Sequence, residues 1–93
     1  MSTPNSVFRA LSDPTRREIL QLLRKGPMSS GQIAEQFTSA WATISRHLAV
    51  LKEAELIVAE RNGTSIEYEL NTTVVQDLVE HLMTWTRTGG KDA

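Results

Sequence analysis

A chain of 93 residues suits one small domain, here residues 1–93, and a composition that is 40% hydrophobic and 23% charged is typical of globular folds rather than disordered ones. The lack of cysteine excludes disulfides, thiolate metal sites and thiol redox sensing. No apolar run is long enough to span a membrane or form a signal-peptide core, so we expect a cytoplasmic protein without a membrane partner. The net charge of −1 argues weakly against nucleic acid as a partner, although most acids fall in residues 53–80 and residues 40–52 contain none.

The N-terminal part of the chain predicts two helices. Residues 7–11 form a short apolar helical stripe, and we expect order to begin at about residue 5. Asp13 followed by Pro14 is a strong helix start, with Asp13 as the N-cap and Pro14 in the first helical position. This second helix should run to about Arg24, before Gly26 and Pro27 end it.

The next segment predicts a helix-turn-helix. Ser29 and Gln32 have the spacing of a capping box, which starts a short helix. After a brief turn, residues 38–52 form a helix with Ile44, Leu48 and Leu51 on one side. The opposite side is small and polar at its N-terminal end, as a helix must be to enter a major groove about 12 Å wide. The alternative interpretation is an ordinary surface helix.

Residues 57–70 predict a β-hairpin. Asn62-Gly63 is a strong signal for a two-residue type I′ turn. With these two residues as the loop, Ala59 faces Ile66, Ile57 faces Tyr68, and Glu60 pairs with Ser65.

The last helix is predicted from about residue 74 to residue 87, after a cap in residues 71–73. Its apolar arc is wider than one contact needs, which suggests that one side covers the domain core and another meets a second subunit. The expected dimer surface combines this helix with the first one and comprises Val7, Phe8, Leu11, Val75, Leu78, Val79, Leu82 and Trp85.

Several strings resemble the ArsR family of bacterial winged-helix repressors, and most closely its metal-free, SdpR-like subgroup. They are FRALSDPTRR at residues 8–17, ISRHL at 44–48, LKEA at 51–54, RNG at 61–63 with Tyr68, and LN at 70–71. The resemblance covers roughly residues 5–87. It implies a mainly α fold with a β-hairpin wing, in the order helix, helix, helix-turn-helix, wing, helix.

The resemblance also implies a homodimer that represses transcription, with its first and last helices at the interface. Two recognition helices would enter successive major grooves, and the wings would reach the flanking backbone or minor groove. Such dimers bind half-sites about 34–36 Å apart, so the expected partner is double-stranded DNA with an inverted-repeat operator.

This chain departs from the family pattern at the start of the recognition helix. The family usually has serine where Ala40 stands, a long polar residue at Trp41 and often proline at Ala42. Thr38 or Ser39 should therefore provide the N-cap. Trp41 could stack against a sugar or pack under the helix.

The candidate DNA contacts lie on the recognition helix, the wing tip and the start of the preceding helix. Arg46 could pair with guanine or contact phosphate, or remain solvated. His47 could contact DNA or be packed and hydrogen-bonded. The full predicted set is Ser30, Gln32, Ala40, Trp41, Thr43, Ser45, Arg46, His47, Arg61, Asn62 and Thr64.

We expect no metal, no cofactor and no enzymatic activity. On the last helix only Asp77, Glu80 and His81 are potential metal ligands, and one histidine per chain makes a poor transition-metal site. The chain has no nucleophile–base pairing and no phosphate-binding glycine loop. Two alternatives remain: a metal- or ligand-responsive repressor of the same fold, and a winged helix that binds protein.

Overall fold

A computed structural model describes residues 4–87, which form five helices and three strands. In chain order the elements are α1 (Pro4–Leu11), α2 (Pro14–Leu23), β1 (Met28–Ser29), α3 (Ser30–Ala34), α4 (Trp41–Glu53), β2 (Ile57–Asn62), β3 (Ser65–Leu70) and α5 (Thr72–Met83). Helices α3 and α4 form the helix-turn-helix, and β2 with β3 forms the wing. No helix in this part of the chain has the length and apolar character needed to cross a membrane.

The predicted caps of α2 and α3 are confirmed. Asp13 accepts hydrogen bonds from the backbone N–H groups of Thr15 at 2.8 Å and Arg16 at 3.2 Å. The backbone N–H of Gln32 donates to Ser29 Oγ at 3.1 Å, and the backbone N–H of Ser29 donates to Gln32 Oε1 at 2.8 Å. Both helices therefore begin where their side chains satisfy backbone groups that lack an intrahelical partner.

The core lies beneath α4. The predicted inner side of this helix, Ile44, Leu48 and Leu51, is buried. The remaining buried residues come from the other elements and from the turn after α4: Val7, Ala10, Ile19, Leu23, Ile33, Ala54, Leu56 and Ile57.

The end of α4 directs the chain into the wing. Glu55 has φ +63°, and the backbone N–H of Leu56 donates to the carbonyl of Leu51 at 3.0 Å. The N–H of Glu55 donates to the carbonyl of Lys52 at 2.9 Å. This pair of bonds is a Schellman motif, which ends the helix and places Leu56 in the core.

The sheet has three antiparallel strands in the order β1-β3-β2. In addition to the predicted hairpin, Met28 pairs with Tyr68 and Ser29 with Glu67. Sequence analysis did not predict β1, because a strand of two residues is too short to show an alternating pattern.

The predicted hairpin register is wrong by two residues. Asn62 pairs with Ser65, so the loop is Gly63-Thr64, and Ala59 faces Tyr68. Of the residues at the tip only Gly63 has a positive φ, +67°. That pattern fits a type II′ turn, which needs glycine in the first loop position, whereas the predicted type I′ turn needs two positive φ values.

The shifted register also changes the other pairs while each side chain keeps its side of the sheet. Ile57 pairs with Leu70 instead of Tyr68, and Glu60 pairs with Glu67 instead of Ser65. A shift of two residues leaves each side chain on the same face of the sheet, because successive side chains along a strand point to opposite faces.

Two further helix boundaries differ from prediction. Helix α4 begins at Trp41, and neither Thr38 nor Ser39 caps it: Ala40 is the N-cap residue, and no side chain accepts a bond there. Helix α5 begins at Thr72, because the Asn71 side chain accepts a hydrogen bond from the N–H of Val74, and it ends at Met83 rather than residue 87.

Candidate nucleic-acid interface

The outer side of α4 is exposed along its N-terminal half. Ala40, Trp41, Thr43, Ser45 and Arg46 all lie on the surface, while the inner side of the same helix is anchored in the core. The helix also packs against α1, α2, α3 and β2. It is therefore an anchored ridge whose side chains are small except for Trp41 and Arg46, and short side chains allow a close approach to a duplex.

Arg46 is the cation of this ridge. No hydrogen bond or ion pair engages it within residues 4–87. An exposed guanidinium without a carboxylate partner keeps its donors available for a base edge or a phosphate.

Trp41 is on the outside of the helix. Its side chain is 54% exposed, so the alternative that it packs under α4 is wrong. A large aromatic residue at the start of the ridge can contact a sugar or a base through its apolar ring.

His47 is packed behind the ridge rather than presented on it. Its side chain is only 14% exposed, its Nδ1 lies 3.2 Å from Nη1 of Arg16, and its Nε2 lies 3.9 Å from Oδ1 of Asp13. Because the arginine donates, Nδ1 accepts. Of the two interpretations from sequence, the packed, hydrogen-bonded histidine is therefore the one that the structure supports, and we remove His47 from the DNA contacts.

Asp13 is held ionised by its role as a cap. Partial burial opposes ionisation, but hydrogen bonds from the backbone N–H groups of Arg16 and Thr15, together with the positive charge of Arg16, outweigh it and lower the pKa of Asp13. Sequence analysis identified Asp13 as a cap but missed its proximity to His47. The adjacent Arg16 and Arg17 have no sequence signal beyond the family motif that contains them.

The wing tip presents Arg61, Asn62 and Thr64, all exposed. At the start of α3, Gln32 is exposed and Ser30 is half-buried. The side-chain oxygen Oε1 of Gln32 already accepts a hydrogen bond in the capping box, and the side-chain N–H₂ group is the part that can donate to a phosphate.

The predicted dimer surface is largely accessible, with one exception. Helix α5 buries none of its residues, and Val79 is 45% exposed. Phe8 from α1 meets Trp85, which follows α5, with 6.2 Å between ring centroids. Leu11, Val75, Leu78 and Leu82 are half-buried.

Val7 is the exception, because it is 6% exposed and belongs to the core of its own chain. It therefore offers no surface to a second subunit. The apolar stripe of α1 is divided: Val7 faces inward, and Phe8 reaches the aromatic cluster that also contains His81 and Trp85.

Metal-ligating side chains do not gather on α5. Within residues 4–87 no group of three or more His, Asp or Glu side chains is placed to hold a metal ion.

Comparisons with known proteins agree with this architecture. The family model "Bacterial regulatory protein, arsR family" matches residues 13–58. The transcriptional repressor SdpR of Bacillus subtilis (strain 168) is 49% identical over 88 residues, covering 95% of this chain and 98% of that protein. An arsenical resistance operon repressor of Staphylococcus aureus is 31% identical over 78 residues, covering 84% of this chain and 75% of that protein.

A solved structure, an ArsR-like transcriptional regulator from Rhodococcus sp. RHA1, has a TM-score of 0.79 at 29% identity and covers 88% of this chain and 77% of its own. The winged helix-turn-helix fold and the family resemblance found in the sequence are thereby confirmed. The chain belongs to the ArsR family of bacterial regulatory proteins.

Proposed function

We propose that this protein is a cytoplasmic, homodimeric repressor that binds an inverted-repeat operator through α4. One observation carries the proposal: α4 is anchored by three buried aliphatic residues and exposes an outer side with Arg46 and no acid in residues 40–52. A chain with a net charge of only −1 and a locally positive ridge can bind a polyanion at that ridge.

The residues of the ridge have distinct proposed roles. Arg46 pairs with a guanine edge, a contact worth about 1–3 kcal/mol of discrimination against another base. Thr43 and Ser45 contact phosphates and fix the register of the helix, and Trp41 contacts a sugar or base at the helix start. At the wing tip, Arg61, Asn62 and Thr64 reach the flanking backbone or minor groove.

The proposed dimer forms through α5 together with Phe8 of α1. What supports it is that α5 buries no residue in a single chain and exposes the large apolar residues Val79 and Met83. A two-fold axis through this surface would place two α4 helices in successive major grooves about 34–36 Å apart. Occupancy of a promoter by such a dimer would exclude polymerase.

Metal independence is part of the proposal. What supports it is the lack of cysteine, since thiolates are among the ligands that soft metals prefer. The residues available on α5 are Asp77, Glu80 and His81, a set poor in nitrogen and sulfur ligands.

The proposal is tested by selecting duplexes from a random pool and measuring affinity for the selected sequence over a salt series. We expect an inverted repeat, affinity that falls steeply as salt rises through counterion release, and equal binding with and without divalent metal. No preference for any duplex at low salt would reject DNA recognition and favour a protein-binding winged helix. Binding that changes with added metal would instead favour a metal-responsive repressor.

A further inference from the structure

A single guanidinium group joins three helices behind the DNA-facing ridge. Arg16, in the first turn of α2, donates from Nε to the carbonyl of Ala10 at 2.6 Å and from Nη2 to the carbonyl of Arg9 at 3.0 Å. Its third nitrogen, Nη1, lies 3.2 Å from Nδ1 of His47 in α4. The contact links residues 31 positions apart in the chain.

The two carbonyls that Arg16 binds belong to the end of α1. The carbonyl of Arg9 also accepts from the backbone N–H of Ser12 at 3.1 Å and from Ser12 Oγ at 2.6 Å. Carbonyls at the C-terminal end of a helix carry its partial negative charge, so a guanidinium there is stabilised by that charge as well as by its hydrogen bonds. The neighbouring Arg17 donates to the carbonyl of Leu11 at 2.7 Å and thus caps the same helix. Of these two arginines, only Arg16 also reaches α4.

His47 completes the connection because it offers a hydrogen-bond acceptor on the rear of α4. Its Nδ1 must keep its lone pair to accept from Arg16, which places the ring proton on Nε2, the nitrogen near Asp13. His47 lies at the boundary between the two sides of α4, and its side chain is therefore half-buried. Ile44 and Leu48 on the inner side are in the core, and Thr43 and Arg46 on the outer side are exposed.

We propose that Arg16 and His47 are positioning residues for DNA recognition, which hold α4 at a fixed angle to α1. This inference rests on the proposed function and deepens it. Helix α1 carries Phe8 of the proposed dimer surface, so the same guanidinium couples the dimer surface to the ridge. Recognition side chains must be held within about 0.5 Å of their productive geometry, and a loosened α4 loses base contacts before it loses phosphate contacts.

The experiment measures the affinity of the full chain for the duplex that the wild-type protein selects and for a shuffled duplex of equal length. Arg16→Lys keeps the charge but cannot donate in three fixed directions, and His47→Leu removes the acceptor. Each should weaken binding to the selected duplex about tenfold and change binding to the shuffled duplex less than about twofold. The double variant should bind no more weakly than the worse single variant.

Two matched variants isolate the contact. His47→Asn puts an amide oxygen where Nδ1 accepts and should keep affinity within about threefold of wild type. Arg17→Lys alters the other arginine that caps α1 and should leave selectivity unchanged. Circular dichroism and sedimentation show whether each variant is folded and dimeric.

Several outcomes overturn the inference while leaving the proposed function intact, provided that the wild-type protein selects a sequence. The first is that His47→Leu discriminates the selected from the shuffled duplex as well as the wild type does. The second is that Arg16→Lys and Arg17→Lys lose the same amount of affinity for the selected duplex. The third is that His47→Asn and His47→Leu lose the same amount. If the wild-type protein selects no sequence, the proposed function fails and the inference fails with it.

Discussion

Arg46 on the ridge of α4 and Arg16 behind it have opposite surroundings, and their proposed roles follow from that difference. Each nitrogen of the Arg16 guanidinium donates to a protein partner, Ala10, Arg9 or His47, and these contacts fix the group behind the ridge. Arg46 has no hydrogen bond or ion pair in the described part of the chain. Residue type alone therefore does not identify an arginine as a candidate DNA contact. What matters is whether its N–H donors already have partners within the protein.

Replacing Arg46 tests the ridge directly. Arg46→Ala should weaken binding to the selected duplex by about 1–3 kcal/mol, because a bidentate contact to guanine is lost. Unfolding stability should change by less than about 0.5 kcal/mol, since the side chain is exposed. Fluorescence anisotropy with a labelled duplex measures the first quantity, and thermal denaturation the second.

The control for this substitution is Arg24→Ala, which removes the same charge from the C-cap of α2. It should leave affinity for the selected duplex close to wild type. Equal affinities for wild type and Arg46→Ala would remove Arg46 from the contact list.

Asp13 predicts a specific acid sensitivity. Because its pKa is lowered on folding, its contribution to stability is present above the ordinary carboxyl value and is lost as pH falls through the folded-state pKa. Asp13→Asn keeps a capping side chain but removes the titrating group. The melting temperature of this variant should therefore fall less steeply between about pH 5 and pH 2 than that of the wild type.

Circular dichroism melts across this pH range measure the slope. Asp77→Asn is the control, because Asp77 is an exposed carboxylate on α5. If the melting temperature of Asp13→Asn fell with pH as steeply as that of the wild type, other carboxylates would account for the loss of stability in acid.

At the scale of the element, the wing depends on a glycine whose backbone conformation other residues rarely adopt. Gly63 has φ +67° and nothing within 4 Å of the position a Cβ would occupy. Gly63→Ala should therefore destabilise the fold by about 1–2 kcal/mol through backbone strain alone, without a steric clash. Chemical denaturation measures the loss.

Gly31→Ala is the matched substitution in a helix. An added Cβ at Gly31 would lie 3.9 Å from Ser29 Oγ, an ordinary contact. This variant should be neutral or up to about 1 kcal/mol more stable, because alanine favours the helix. Equal destabilisation at both positions would contradict the type II′ assignment of the wing turn.

At the scale of the whole molecule, α5 keeps the large apolar residues Val79 and Met83 exposed and is the proposed dimer surface. Val79→Glu should increase the dimer dissociation constant by more than about tenfold, because dimer formation would bury an unpaired carboxylate. Affinity for an inverted repeat should fall with it, while a half-site alone loses little. Analytical ultracentrifugation over a concentration series measures the dissociation constant.

Val58→Glu is a close control, since Val58 on β2 is 44% exposed and Val79 is 45% exposed. The same substitution at the same exposure should leave the dimer intact. A persistent dimer in Val79→Glu would move the interface away from α5.

The local features of this protein were determined by short stretches of sequence. Asp13 before Pro14, the Ser29 and Gln32 pair, and the spacing of Ile44, Leu48 and Leu51 each act within a few residues, and the structure confirms all of them. Caps and helix faces depend on hydrogen bonds and periodicity inside one element, so they can be predicted without knowledge of the remaining chain.

Only the tertiary structure decided the features that join distant segments. The pairing of Met28 with Tyr68, the turn at Gly63-Thr64 and the contact of Arg16 with His47 each depend on how separate elements meet. Sequence analysis placed Val7 at the dimer surface and left His47 open for the same reason: helix periodicity shows which residues share a side, but packing decides which neighbour that side meets. Helix α4 and its buried side could be predicted from sequence, whereas the contact of Arg16 with His47 could not.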